Sequence, residues 1–256
     1  MKTVALHHES IGPLDAPPLL LGGSLGTTLA MWEPQVRLLS GRLRMIPFDH
    51  RGHGASPVPV GPYTIAELGS DVIALMDRLK LERASYCGLS IGGMVGQWLG
   101  GNHAERIDKL ILIATSSYLG DPAPWLERAA TVRVAGTVEG IADLVVSRWF
   151  TPHWATQHGH TVRTYRDMLA SSAVEGYASC CEAISALDVR GELGRITAPT
   201  LVISGADDPA IPPQHQQAIA NAIAGARLET IADAAHLTSV QRPAQVNQLI
   251  FDHLGL

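Results

Sequence analysis

Apolar runs of strand length alternate with stretches of helical period along most of the 256 residues, and that alternation most limits the possible folds. Leu19–Leu21, Leu43–Phe48, Ala84–Gly88, Leu110–Ala114, Thr200–Ser204 and Arg227–Ile231 read as strands, and Thr3–His7 as another. Between them the period changes: Ile65, Leu68, Val72, Leu75, Met76 and Leu79 fall on one helical face. Thr64 followed by Glu67 makes a capping box that starts this helix. Ile91–His103, Gln214–Ala224 and Ala244–Leu254 read as further helices. Strand and helix in strict turn imply a mainly parallel central sheet with helices on both faces. The alternation stops over 120–187, where only helical stretches remain, holding Trp125, Trp149, Phe150 and Trp154. The expectation is an α/β core of residues 1–119 and 188–256, with an inserted helical cap over 120–187.

Composition removes several classes of function. A hydrophobic content of 46% with 17% charged residues describes a chain that can build a core. The net charge of -5 is mild and the 19 basic residues are scattered, so no basic stripe marks a nucleic-acid partner. No apolar run reaches the ~20 residues of a membrane helix, and His7, His8 and Glu9 end the N-terminal apolar stretch too early for a signal peptide. Cys87, Cys180 and Cys181 give neither a disulfide framework nor a metal spacing. These readings suggest a cytoplasmic location.

Gly88-Leu89-Ser90-Ile91-Gly92 stands where a predicted strand becomes a predicted helix, the setting of a nucleophile elbow. The turn is tight, so the positions two before and two after the serine must lack bulk. A serine hydroxyl needs a base beside it at neutral pH. In the α/β-hydrolase fold the partners follow in the order serine, acid, histidine. Asp207 and Asp208 follow the strand Thr200–Ser204, and His236 follows the strand Arg227–Ile231, so all three could meet at the carboxyl ends of the strands. His236 would take the Ser90 proton, and an aspartate would fix its tautomer. The backbone N–H of Ile91 and that of Leu25, in the loop Gly22–Gly26, are the candidate oxyanion donors.

Other features admit plainer readings. Asp207 reads as a turn or surface residue, and His153, His158 and His160 as solvated histidines with no ligand spacing beside them. The segment Asp49-His50-Arg51-Gly52-His53-Gly54 reads as a structural loop at the edge of the site, held by hydrogen bonds of Arg51 and Asp49. The middle tryptophans fit the core better than a ligand contact. An aspartate in place of Ser90 would have pointed to a dehalogenase or epoxide hydrolase. A non-catalytic receptor need not keep every triad and oxyanion part, and this chain has a candidate for each.

The chain resembles the 3-oxoadipate enol-lactonase family of α/β hydrolases over nearly its whole length. The likeness is carried by Ser24-Leu25-Gly26-Thr27-Thr28 with Met31-Trp32, by Arg51–Pro59 with Gly61–Ile65, and by Cys87–Leu99. Arg148-Trp149-Phe150-Thr151-Pro152 and Ala234-Ala235-His236-Leu237 also fit it. The family's acid precedes a proline, three residues after a glycine, which points to Asp208. Gly23 stands where the family commonly has asparagine, and Ala173–Ala186 matches only loosely. The resemblance implies hydrolysis of a small carboxylate-bearing enol-lactone in aromatic catabolism, with no metal or organic cofactor. A carboxylate substrate needs a local cation, and Arg128, Arg133 and Arg148 are the candidates; Ser24, Trp125 and Trp149 are further candidates to line the pocket. The alternative on the same scaffold is a broad carboxylesterase, with perhydrolysis as a side activity.

Overall fold

The computed structural model describes residues 3–256. Six parallel strands form its sheet: β1 Pro18–Gly22, β2 Arg44–Phe48, β3 Ala84–Leu89, β4 Ile107–Ile113, β5 Thr200–Gly205 and β6 Arg227–Ile231. Their order is β2-β1-β3-β4-β5-β6. The central strands are mostly apolar because helices cover both faces: β3 and β5 are buried at every position. The chain leaves β1 in one direction to build β2, then crosses back to build β3. The sheet therefore has its switch point at the carboxyl ends of β1 and β3, where a crevice opens in doubly wound folds.

The helix Ile65–Arg78 begins with the expected reciprocal cap, Thr64 accepting from the Glu67 N–H while Glu67 accepts from that of Thr64. Its buried face carries Ile65, Leu68, Val72, Leu75 and Met76. Between β4 and β5 the chain holds no strand; helices span Ala123–Ala135, Glu139–Val146, Pro152–Gln157, Gly159–Ala170 and Val174–Ser185.

Two strand expectations change. Strand β4 starts at Ile107 rather than Leu110, because polar side chains serve at its first turn of ladder. Asp108 pairs with Arg83 at 2.6 Å, and Lys109 Nζ donates to the carbonyls of His253 and Leu254 at 2.9 Å each. Thr3–His7 forms no regular strand. The segment lies antiparallel to β2, with Ile11 and Met45 exchanging both backbone bonds at 2.9 and 2.8 Å. The next pair manages only one bond, from Glu9 N–H to Pro47 O, since proline has no N–H to return. At the third, the N–H of His7 donates instead to Ser56 Oγ at 2.8 Å. The ladder is broken by one ring and one side chain. Among the described residues no helix is long and apolar enough to cross a membrane.

Candidate active site

Ser90 follows β3 with φ 58° and ψ −118°, a backbone conformation that non-glycine residues rarely adopt. Three bonds hold it there. Its N–H donates to Ile113 O at 3.0 Å, and its carbonyl accepts from Thr115 Oγ1 at 2.8 Å and Met94 N–H at 3.0 Å. A side chain on Gly88 would run into the carbonyl of Gly92, and one on Gly92 into the carbonyl of Gly22. The two glycines let β3, the helix Ile91–Asn102 and the loop after β1 approach one another. Gly92 N–H then donates to Gly23 O at 3.1 Å, tying the serine turn to that loop.

The structure brings Asp208 and His236 together. His236 Nδ1 lies 2.9 Å from Asp208 Oδ2, with both residues buried. The other carboxylate oxygen, Oδ1, accepts from the N–H groups of Ala210 at 2.8 Å and Ile211 at 3.0 Å. Asp207 points elsewhere. It is exposed and lines a separate groove with Asp233 and Arg242. The turn that presents His236 is fixed from both sides: Leu237 N–H donates to Trp149 O at 2.9 Å, and Gln241 Oε1 accepts from Ala235 N–H at 3.0 Å.

Ser90 and His236 open into one pocket with Ser24, Leu25, Met94 and Tyr177. Its roof carries Trp125, Arg128, Val145, Arg148 and Trp149 from the helical segment, and Ala210 and Ile211 close the side. The empty space is about 540 Å³ when counted out to its open mouth. Leu25 lines this pocket and Ile91 directly follows Ser90; neither backbone N–H has a protein acceptor among the described residues.

The three arginines part company here. Arg128 lines the pocket with its guanidinium carbon 4.7 Å from the centre of the Trp125 ring, and Arg148 lines it too. Neither forms an ion pair with a carboxylate among the described residues. Arg133 does not reach the pocket. Its guanidinium donates to Glu175 at 2.9 and 3.0 Å and to Glu182 at 2.9 Å, binding the helix Ala123–Ala135 to the helix Val174–Ser185. That guanidinium, helped by Ser179 and the Gly61 N–H, holds the Glu175 carboxyl down to about 2. The expectation that Arg133 binds substrate is therefore corrected: its charge is spent on two carboxylates. No alternation or spacing could have told it from Arg128, since both lie on one helix and only the neighbouring helix decides.

The loop after β2 does more than hold itself together. Asp49 and Arg51 play the structural parts expected of them: Asp49 accepts from the N–H groups of Leu29 at 2.6 Å and Ala55 at 3.0 Å, and Arg51 Nε donates to Asp71 at 2.6 Å. His53, however, reaches across to the loop after β1. The three histidines His153, His158 and His160 lie on the helical segment, where the His158 ring stacks on Trp154 at 4.0 Å. No cluster of ligand side chains suited to a metal occurs among the described residues.

Residues 17–243 match the α/β-hydrolase fold family. The chain belongs to that family. Within it, the chain is 41% identical to 3-oxoadipate enol-lactonase 2 of Acinetobacter baylyi, over 97% of this chain and 92% of that one. The enol-lactonase of Burkholderia xenovorans LB400 superposes with a TM-score of 0.96 at 42% identity, covering 99% of this chain and 97% of that one. A thermophilic esterase of Thermogutta terrifontis, solved with malate bound, gives a TM-score of 0.92 at 28% identity, over 98% of this chain and 93% of that one. The likeness to the enol-lactonases read from the sequence thus holds over the whole chain, and this kinship makes the chain an ester hydrolase of the α/β-hydrolase family.

Proposed function

We propose that the chain hydrolyses a small carboxylate-bearing enol-lactone, 3-oxoadipate enol-lactone in the first place, through a Ser90–His236–Asp208 triad. The observation that carries the reading is a pocket lined both by Ser90 and His236 and by Arg128 and Arg148, which form no ion pair with a carboxylate among the described residues. The identity to enol-lactonases supports it. Ser90 Oγ attacks the lactone carbonyl while His236 Nε2 takes its proton, and Asp208 holds the imidazole in the Nδ1–H tautomer and steadies the imidazolium. The oxyanion accepts from the Leu25 amide in the loop after β1 and from the Ile91 amide, whose position at the start of the helix Ile91–Asn102 favours negative charge. The ring C–O bond breaks, His236 returns its proton to the departing enol oxygen, and that oxygen stays tethered within the acyl chain. Water then gives a proton to His236 and attacks the acyl carbonyl; the Ser90 Oγ–acyl bond breaks, and His236 returns the proton to Ser90 Oγ. Every proton moves through His236, so these steps call for no metal or organic cofactor. Residues 120–187 act as a cap over the core of 1–119 and 188–256, supplying the cations that grip the acid arm.

The test compares kcat/KM for the enol-lactone of 3-oxoadipate with that for p-nitrophenyl acetate. A charge-assisted hydrogen bond contributes roughly 1.5–3 kcal/mol, so the lactone should win by about 10- to 100-fold. Arg128→Ala or Arg148→Ala should shrink that preference. If the neutral ester is turned over as well as the lactone and neither substitution matters, the chain is a broad carboxylesterase, a reading favoured by its likeness to the Thermogutta esterase.

A further inference from the structure

The loop after β2 supplies a group aimed at the oxyanion site. The Gly26 N–H donates to His53 Nε2 at 2.9 Å, so Nε2 carries no proton. The other ring nitrogen, Nδ1, lies 3.3 Å from Arg51 O and is the one that can donate. The ring is thereby fixed in one tautomer by a carbonyl on one side and an amide on the other. His53 is only 3% exposed, and the neighbouring His50 ring meets it edge-on at 6.5 Å. Burial lowers its affinity for a proton, in keeping with a neutral ring that accepts.

Gly26 is the residue after Leu25. It has φ +78°, and Leu169 and Tyr177 crowd the place a side chain would take. The peptide joining Leu25 to Gly26 is planar, so holding its N–H against His53 fixes one side of Leu25. The other side is fixed through Gly23, whose carbonyl accepts the Gly92 N–H, and Ser24, whose carbonyl accepts the Thr27 N–H at 3.1 Å. We infer that His53 is a positioning residue for the oxyanion site, holding the loop after β1 so that the Leu25 N–H faces the Ser90 hydroxyl. The inference rests on the proposed hydrolysis at Ser90. His53 touches no substrate, and it lies outside the set that lines the pocket.

Two amide side chains separate the two ring nitrogens. In His53→Gln the side-chain oxygen stands in for Nε2 and can still accept from Gly26. In His53→Asn the shorter amide stands in for Nδ1 and cannot reach Gly26. With p-nitrophenyl acetate, His53→Asn should lower kcat about 10- to 100-fold, somewhat less than deletion of a whole oxyanion donor. Its KM should stay within about threefold of the parent. His53→Gln should recover most of kcat. A trifluoromethyl ketone, which adds Ser90 to form a tetrahedral oxyanion, should bind His53→Asn more weakly by a similar factor, while a neutral amide analogue of the substrate binds unchanged. If His53→Asn does not fold, His53→Leu, which fills the space without an acceptor, takes its place in the comparison. An unchanged kcat in a folded variant lacking the acceptor, or equal loss in His53→Gln and His53→Asn, would overturn the inference. Ser90→Ala run alongside keeps the underlying reading separate: full activity there would sink the nucleophile itself, whatever the His53 variants do.

Discussion

Asp207 and Asp208 share a turn and a charge, yet their surroundings are opposite. One is exposed in an outer groove; the other is buried with three hydrogen bonds, one of them to His236. Asp208→Asn should therefore cut kcat by about 10⁴, because an amide presents the wrong hydrogen-bonding face to the Nδ1–H tautomer. Asp207→Asn should change it by less than twofold in the same assay. The reverse order would move the acid to Asp207. Strand periodicity could only bring both to the carboxyl end of β5; the glycine and proline around them carried the choice through family spacing. His53 was harder to read, since its partner is a backbone N–H 27 residues away and no periodicity encodes that pairing.

At the scale of elements, the helix Ala123–Ala135 has two jobs along its length. Its first turns bring Trp125 and Arg128 to the pocket, and its last turn anchors through Arg133 to Glu175 and Glu182. Removing the anchor and removing the pocket cation should have separable effects. Arg133→Ala should lower stability by about 1 kcal/mol, the upper end for an ion pair partly open to solvent. It should leave the ratio of kcat/KM for the anionic lactone over the neutral ester unchanged. Arg128→Ala should do the converse, with little shift in Tm and a smaller ratio. A collapse of the ratio in Arg133→Ala with Tm intact would return Arg133 to the substrate site. The strands were legible because burial on both faces leaves near-continuous apolar runs. The contacts of this helix were not, because Arg133 meets carboxylates 42 and 49 residues further along the chain.

For the whole molecule, acid should act first through histidines that the fold keeps neutral. Burial, with the nearby His53 adding to it, lowers His50 from 6.5 to about 3. The folded chain thus binds fewer protons than the unfolded chain once pH falls below about 6.5, and stability declines from there towards pH 3. Each such histidine contributes a slope of at most about 1.4 kcal/mol per pH unit. Denaturant unfolding between pH 6.5 and 5.5, above the carboxylate range, should show this decline, and His50→Gln should flatten it. An unaltered slope in the variant would mean that His50 is protonated without unfolding. The mainly parallel sheet follows from alternation in the sequence, and the choice of Asp208 from the resemblance to the enol-lactonases. The protonation of a ring packed against Phe48 and His53 follows only from three-dimensional enclosure.

The half-made ladder between the N-terminal segment and β2 bears on how copies of this protein behave at high concentration. An open strand edge is a template on which another chain can add, and the route to fibrous self-association runs through such edges. Here His7–Ile11 already occupies the outer side of β2, and Pro47 has no N–H to offer an incoming strand. Trimming the chain past Ile11 would uncover that edge and also remove the bonds of His7 to Asp49 and Ser56 in the loop after β2. Such a trimmed protein should clump when concentrated, at concentrations where the parent stays dispersed.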